Sequence, residues 1–457
     1  MSTLPLSPAA GLRGLCGGHV HLPGDAGYDA ARTPWNLAVD QRPAAVAVPH
    51  SVDDVIEVVR AAAAAGLRVA PQSTGHGAAP LGEAALDDVV IVRLAELTGV
   101  TIDPEARTAR IVGGTLWRDV VTASAPYGLA ALHGSAPDVA AAGYLLGGGL
   151  SFYGRTHGVA SSSLRAVELV TADGSLVRAS ADENPELFWA VRGGGGSFGV
   201  AVALDIELLP YADVFAGMLL WDRERAPEVV RAWADWTREV PESVTTSLRV
   251  MSFPPLPDLS PFLSGRQLVV IDGAILEEDE RAGELLAPLR ALEPEMDTFG
   301  RMSAIGLLDV HMDPPQPSPA VSDHAVLGEL PEGAVEAYLG EIGPGTTTSL
   351  LFAELRHLGG ALTVPDEQGG VASHLDGAYA LFCVAIAPFP EAAAAGRADA
   401  MAMCAALAPW TTGTRVLNFV DTVADVSTAY GDRWERLRQV REAVDPTGFF
   451  VANHPVR

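Results

Sequence analysis

Cysteine is scarce in this chain. Cys16, Cys383 and Cys404 are far apart and form no CxxC pair, which excludes a disulfide framework and a cysteine zinc site. The histidines show no HExxH or other paired metal spacing, and no metal is expected. Long apolar runs are also missing, and no stretch approaches the ~18 residues of a membrane span. The opening MSTLPLSPAAGLRGLCGGHV has neither the basic start nor the apolar core of a secretory signal, so a cytoplasmic location is expected. Positive charge is short as well: 30 Lys plus Arg against 57 Asp plus Glu give a formal charge of −27. That balance opposes phosphate backbones and anionic lipid, so neither nucleic acid nor membrane is an expected partner. Aromatic residues make up 6%, a thin argument against an aromatic platform for sugars.

What is present suffices for two ordinary cores: 457 residues, 48% of them hydrophobic,. AAVAVP (44 to 49) reads as a strand. Ser51 with Asp54 then forms a capping-box start for the helix VDDVIEVVRAAAAAG, which Gly66 stops,. LRVA, DDVVIVRL, VTID and ARTARIVGG read as short strands before a helical TLWRDVVTASAPYG (115 to 128),. LRAVELVTADGSLVRAS carries an Asp173-Gly174 hairpin turn, followed by a short helix, NPELFWAVRG, and the strand VAVALDIELLP,.

From 211 to about 410 the pattern predicts a second, mainly antiparallel sheet covered by helices on one side. A Pro-rich loop, MDPPQPSPAVSD (312 to 323), reads as a substrate-side loop or an ordinary surface loop,. The tail from Arg415 onward predicts a strand, an amphipathic helix and a returning end. The fold class is therefore α+β, divided as 1–210, 211–410 and 411–457.

Three glycine clusters stand in the first part: Gly75-His76-Gly77, Gly147-Gly148-Gly149, and Gly193 to Gly196 followed by Ser197-Phe198-Gly199. Glycine lets backbone amides approach a phosphate with no Cβ in the way. Gly194, Gly196 and Gly199 spell GxGxxG, but a helix precedes and a strand follows, the reverse of a Rossmann fingerprint. No GKS or GKT P-loop occurs, so a dinucleotide cofactor is the better reading. His76, between two glycines, can be a turn residue, a ligand or a covalent attachment point.

RPAAVAVPHSVDDV, QSTGHG, HGSAPDVAAAGYLLGGGLSFYGRTHG, VELVTADG, FWAVRGGGGSFGV and AVDPTGFFVANHP occur in that order. Together they resemble the FAD-linked oxidases of the berberine bridge enzyme-like family, which have the p-cresol methylhydroxylase fold. The resemblance covers most of the first part and the C-terminal tail. It implies FAD joined through the imidazole of His76 to the 8α-methyl carbon of the flavin. A second, cysteinyl link of the family falls on Ala136, so a single tether is expected. The resemblance further implies a pyrophosphate cradle at Ser73, Thr74, Gly75 and Gly77 and at Ser135, Ala136, Pro137, Asp138 and Val139. Gly143, Gly147, Gly148, Gly154, Gly199 and Val200 would line the cofactor, and Asn453 would return toward it.

The family's tyrosine base falls on Phe419 in Asn418-Phe419-Val420-Asp421, and its RKYG-like tyrosine falls on His157. His157 is then a candidate base, or merely a hydrogen-bonding partner. Tyr144 and Tyr153 are further phenols near the glycine loop. Glu354 and Arg356 share a strand face beside His357, where they meet substrate or only each other. Asp309, His311 and Asp313 alternate, and a metal site there is conceivable. The expected activity is oxidation of a small organic molecule, with dioxygen as second substrate and release of hydrogen peroxide. Oxidation of a sugar, or a non-redox cyclase, isomerase or ligand-binding role, is the alternative.

Overall fold

The computed structural model describes residues 8–257, 259–366 and 368–457. The first seven residues of the opening segment read above lie outside them.

Near the N-terminus, β1 (Val20–His21), β2 (Ala45–Ala47), β3 (Arg68–Gln72) and β4 (Val89–Arg93) form a sheet in the order β1-β2-β4-β3. The last three strands are parallel, and their β-branched residues are buried on both faces, as parallel strands require,. The helix Val52–Ala64 opens on the Ser51/Asp54 capping box and buries Val55, Val58, Val59 and Ala62, its i, i+3, i+4, i+7 face,. The chain leaves β3 directly into Ser73–Gly77.

A five-stranded antiparallel sheet follows: β5 (Val100–Asp103), β6 (Thr108–Val112), β7 (Leu164–Val170), β8 (Leu176–Ser180) and β9 (Val200–Glu207), in the order β5-β6-β9-β7-β8. Gly174 in the β7–β8 turn has φ +76°, the left-handed conformation glycine adopts at no steric cost,.

Eight strands build the third sheet: β10 (Asp213–Asp222), β11 (Val244–Ser252), β12 (Gln267–Ile275), β13 (Met296–Asp297), β14 (Gly300–Ser303), β15 (Ala320–Leu327), β16 (Phe352–His357) and β17 (Tyr379–Ile386). Their order is β13-β10-β12-β11-β16-β17-β15, with β14 also on β10, and all pairings are antiparallel. Helices Ala226–Thr237, Asp279–Arg290, Glu332–Ile342 and Pro390–Ala406 accompany it. The first buries Val229, Val230, Trp233 and Trp236, each worth about 1.5–3 kcal/mol on full burial. Trp233 also donates its indole N–H to Thr246 Oγ1 at 3.1 Å. With this face packed, the side chains on the opposite face of β11, β12, β16 and β17 turn toward the first part of the chain.

The tail differs from its predicted strand. Leu417–Phe419 is a 3₁₀ turn because Asn418 is drawn into side-chain bonding: its Oδ1 accepts from the Gly149 amide at 2.9 Å and its Nδ2 donates to the Tyr144 carbonyl at 3.2 Å. After helix Trp434–Val444, buried Asp445 accepts from the amides of Phe449 and Phe450. That sets Phe450 beside Val69 of β3. Among the described residues no helix is long and apolar enough to cross a membrane.

Candidate active site

A cavity of about 440 Å³ lies between the glycine-rich loops, the turned face of the eight-stranded sheet and the tail. Its first wall comes from Ser73–Gly77. Gly75 has φ +84°, and a Cβ there would sit 2.6 Å from Pro34 Cβ, so only glycine fits this turn,. The turn projects His76, which stacks on Trp35 with centroids 4.1 Å apart and planes 18° apart. His76 Nδ1 lies 2.8 Å from Thr74 Oγ1, and Nε2 lies 3.5 Å from Asp138 Oδ1. Trp35 donates its indole N–H to Asp138 Oδ2 at 2.6 Å. Burial works to raise the Asp138 carboxyl, but His76 and Trp35 outweigh it and hold it below the usual range. The tail closes the loop, with Asn453 Nδ2 donating to the Gly77 carbonyl.

Of the residues expected at a cofactor, Ser73, Thr74, Gly75, His76, Gly77, Ser135, Ala136, Val139, Gly143, Gly147, Gly199 and Asn453 line the cavity. Pro137 and Asp138 stand one layer behind. The Pro137 carbonyl accepts from Arg118 N at 2.9 Å, and Asp138 holds Trp35 and His76. Gly148, Gly154 and Val200 are not on the wall: Gly148 (φ +105°) shapes the turn, Gly154 packs on Leu362, and Val200 is a fully buried core residue of β9.

Tyr144, Glu354 and Arg356 also line the cavity. Glu354 is fully buried and held by Arg356, Nε to Oε1 at 2.9 Å and a terminal nitrogen to Oε2 at 3.1 Å, a bidentate pair. Both readings of these two residues therefore hold at once, since they pair with each other and face the cavity. Arg356 sits 5.3 Å from the Phe419 ring centroid, and Phe419 stacks on Phe382 at 4.4 Å.

His157, the candidate base, and His357, expected beside Glu354 and Arg356 at the site, are off the cavity wall. The short helix Gly154–His157 turns His157 toward Tyr211, Nε2 to Oη at 3.0 Å, and burial lowers its pKa. His357 faces the opposite side of β16 from Glu354 and Arg356 and stacks on Tyr379. Burial first, and then the Arg155 charge, hold it well below its usual value. Tyr153 is likewise a core residue, stacked on Tyr211. The alternation of Asp309, His311 and Asp313 is not realised. Leu307–Val310 is a helical turn that leaves Asp309 exposed, while His311 and Asp313 line the cavity.

Sequence reasoning missed Trp35, Phe352, Phe382 and His454 on the cavity wall. It also read past Asp421. Asp421 lines the cavity, where burial raises its carboxyl to about 7 despite Arg397 and Ser322. A carboxyl with a raised folded pKa contributes its full stability below about pH 4 and loses it as pH rises toward 7. Asp421→Asn is therefore expected to melt progressively higher than the parent between about pH 5 and about pH 8. Thermal melts at the two pH values check this, and an equal gap at both would contradict it.

The cavity suits a large polar ligand. His76 Nε2, Asp138 Oδ1 and the Tyr144 hydroxyl are buried with no hydrogen-bond partner, a costly state unless a ligand meets them. Cβ positions at Gly143 and Gly195 would find nothing within 4 Å, so the backbone there is open to close approach.

Three comparisons agree with this geometry. Residues 43–180 match the FAD binding domain family, and residues 417–457 match the family described as berberine and berberine like. (R)-6-hydroxynicotine oxidase of Paenarthrobacter nicotinovorans is 39% identical over 206 residues, 45% of this chain and 44% of that protein. Xylooligosaccharide oxidase of Thermothelomyces thermophilus is 34% identical over 205 residues, 44% of this chain and 41% of that protein. The matched segment thus spans less than half the length of these curated relatives. Among solved structures, 6-hydroxy-D-nicotine oxidase of Arthrobacter nicotinovorans superposes with TM-score 0.81 at 26% identity, covering 96% of this chain and 97% of that one. BBE-like 1 of Physcomitrella patens superposes with TM-score 0.83 at 20% identity, covering 100% and 99%, a likeness of fold.

The fold is the FAD-binding architecture of the p-cresol methylhydroxylase type, and FAD is its cofactor. Residues 43–180 thus form an FAD binding domain and residues 417–457 a berberine-like segment, and the chain is similar to the berberine bridge enzyme-like FAD-linked oxidases.

Proposed function

We propose that this protein is an FAD-dependent oxidase of a small, ring-bearing organic molecule with an ionisable N–H or O–H, its flavin tethered once through His76. Residues 1–210 and 411–457 supply the flavin side, and 211–410 the substrate side. The observation that carries the reading is the pairing, across one cavity, of the open glycine cradle around His76 with the buried Glu354–Arg356 pair and the Phe352, Phe382 and Phe419 rings. When bound, FAD would supply the two-electron redox chemistry: uptake of a hydride equivalent and reoxidation by dioxygen with release of hydrogen peroxide. The backbone amides of Ser73, Thr74, Gly75 and Gly77 and of Ser135, Ala136 and Val139 would hold its pyrophosphate, and Asn453 keeps the His76 turn in place. Ala136 offers no sulfur for a second tether. On the substrate side the phenylalanine rings exclude water and receive a flat apolar body, while Glu354 and Arg356 orient its polar end. The nicotine oxidase relative supports an amine, and the saccharide oxidase relative keeps a sugar as the second reading.

Anaerobic mixing with (R)-6-hydroxynicotine, cyclic alcohols and amines, and xylooligosaccharides separates the readings. Bleaching of the visible flavin band by the ring compounds is expected, and bleaching by the oligosaccharide alone would transfer the assignment to sugar oxidation. Product without bleaching would establish a non-redox role instead.

A further inference from the structure

With phenylalanine at 419, no phenol stands there to take a proton from substrate. Another group is built for that task on the same cavity. Asp272 of β12 is fully buried and accepts from Ser247 Oγ at 2.5 Å and from a terminal nitrogen of Arg249 at 2.5 Å, both on β11. The oxygen that takes Arg249 also lies 2.9 Å from Nδ1 of His311. Burial works to raise the Asp272 carboxyl, but its contacts with His311 and Arg249 hold it well below the usual range. An ionised carboxylate only accepts, so Nδ1 donates to it, and Nε2 is left as the ring nitrogen that can take a proton from the cavity,.

Nε2 lies 3.8 Å from Glu354 Oε1, beyond hydrogen-bond reach, and His311 faces the cavity. The main-chain carbonyl of His311 accepts from Arg249 at 2.9 Å, so both ring and backbone are fixed. The charged groups around the ring are Asp272, Glu354 and Asp313 on the negative side and Arg249 and Arg356 on the positive. The chain contains no lysine. Tyr144, the remaining expected phenol on this wall, is raised well above the usual phenol range by burial and holds its proton.

We propose that His311, oriented by Asp272, is the general base of the oxidation, acting through Nε2. The N–H or O–H bond beside the reacting carbon breaks, and its proton passes to Nε2. The electron pair left behind forms the new double bond to carbon, while the carbon's hydrogen departs with two electrons to FAD. The imidazolium so formed lies between the carboxylates of Asp272 and Glu354, which neutralise it. Glu354 is then a positioning residue, its oxygens already taken by Arg356.

The inference rests on the oxidase reading, and the test separates the two. Whichever compound of the substrate panel bleaches wild-type flavin is mixed anaerobically with His311→Gln and Glu354→Gln, over a range of pH. His311→Gln keeps a donor for Asp272 but has no basic nitrogen. It is expected to slow bleaching about 10²- to 10⁴-fold and to lose the fall in rate at low pH, while keeping its bound flavin and melting temperature. Added imidazole is expected to restore part of the rate to His311→Ala, which a merely structural role would not allow. Bleaching by His311→Gln within about threefold of wild type with an unchanged pH profile overturns the inference and leaves the oxidase reading intact. A wild type that no panel compound bleaches overturns both.

A readout independent of turnover is acylation of the wild-type holoenzyme by diethyl pyrocarbonate, mapped by peptide mass. His311 is expected to react, and an unmodified His311 after the exposed His19 has reacted would place Nε2 out of reach of the cavity and overturn the assignment.

Discussion

Protein carrying His76→Ala is expected to lose all covalently held flavin: acid precipitation should leave a colourless pellet and yellow supernatant, where wild type gives a yellow pellet. The expectation is all-or-none because Ala136 stands where a second link would form, and none of Cys16, Cys383 and Cys404 lines the cavity. The variant should still fold, since Gly75 and the Asn453 bond to Gly77 shape the turn without the imidazole. It should nevertheless be weaker by about 0.5–1.5 kcal/mol, because the His76 ring no longer stacks on Trp35,. Retention of FAD becomes a matter of free concentration rather than of a bond, so activity should fall on dilution or gel filtration and return with added FAD.

Arg249→Met should cost the most stability of any single change in the substrate-side sheet, about 3–5 kcal/mol. Arg249 and Asp272 are 2% and 0% exposed in their side chains, so removing the guanidinium strands a carboxylate where water cannot reach it. Asp272 would keep Ser247 and His311 but lose the partner that carries a permanent charge. The double variant Arg249→Met with Asp272→Leu should recover much of the loss, because it removes both buried charges together. The sign of the pH dependence follows from Asp272. Its folded pKa is depressed, so its stabilising contribution is present above the unfolded carboxylate value of about 3.9 and is lost as pH falls below it,. The gap in denaturant midpoint between wild type and Arg249→Met is therefore expected to be constant near neutrality and to narrow in acid. A gap that widens in acid would contradict the assignment.

The parts legible in the sequence are those whose partners lie close along the chain or whose backbone demands a particular residue. The Ser51/Asp54 cap, the Asp173-Gly174 hairpin and the Gly75 turn are of this kind, and each fixes its own geometry within a few residues. Glu354 and Arg356 were readable because a strand repeats every two residues. What escaped depends on packing between distant segments. Trp35 reaches Asp138 across 103 positions, and His311 meets Asp272 across 39, so neither arrangement leaves a local pattern. His311 was noticed, but as part of an alternation that a helical turn at Leu307–Val310 undoes. His157 misled for a related reason: its place in a motif gave its position along the chain, whereas the orientation of the short helix Gly154–His157 decides that its ring turns to Tyr211. The tail strand failed because the Asn418 side chain offered Gly149 and Tyr144 better bonds than a sheet edge would.

The turn after β3 is expected to hold FAD covalently through His76. Trypsin should release Val69–Arg93 as one peptide, in which His76 is the sole histidine and no cysteine occurs. Mass spectrometry of that peptide from wild-type protein is predicted to show the added mass of one flavin cofactor, placed on His76 by fragmentation. An unmodified Val69–Arg93 peptide from yellow, active protein would contradict it.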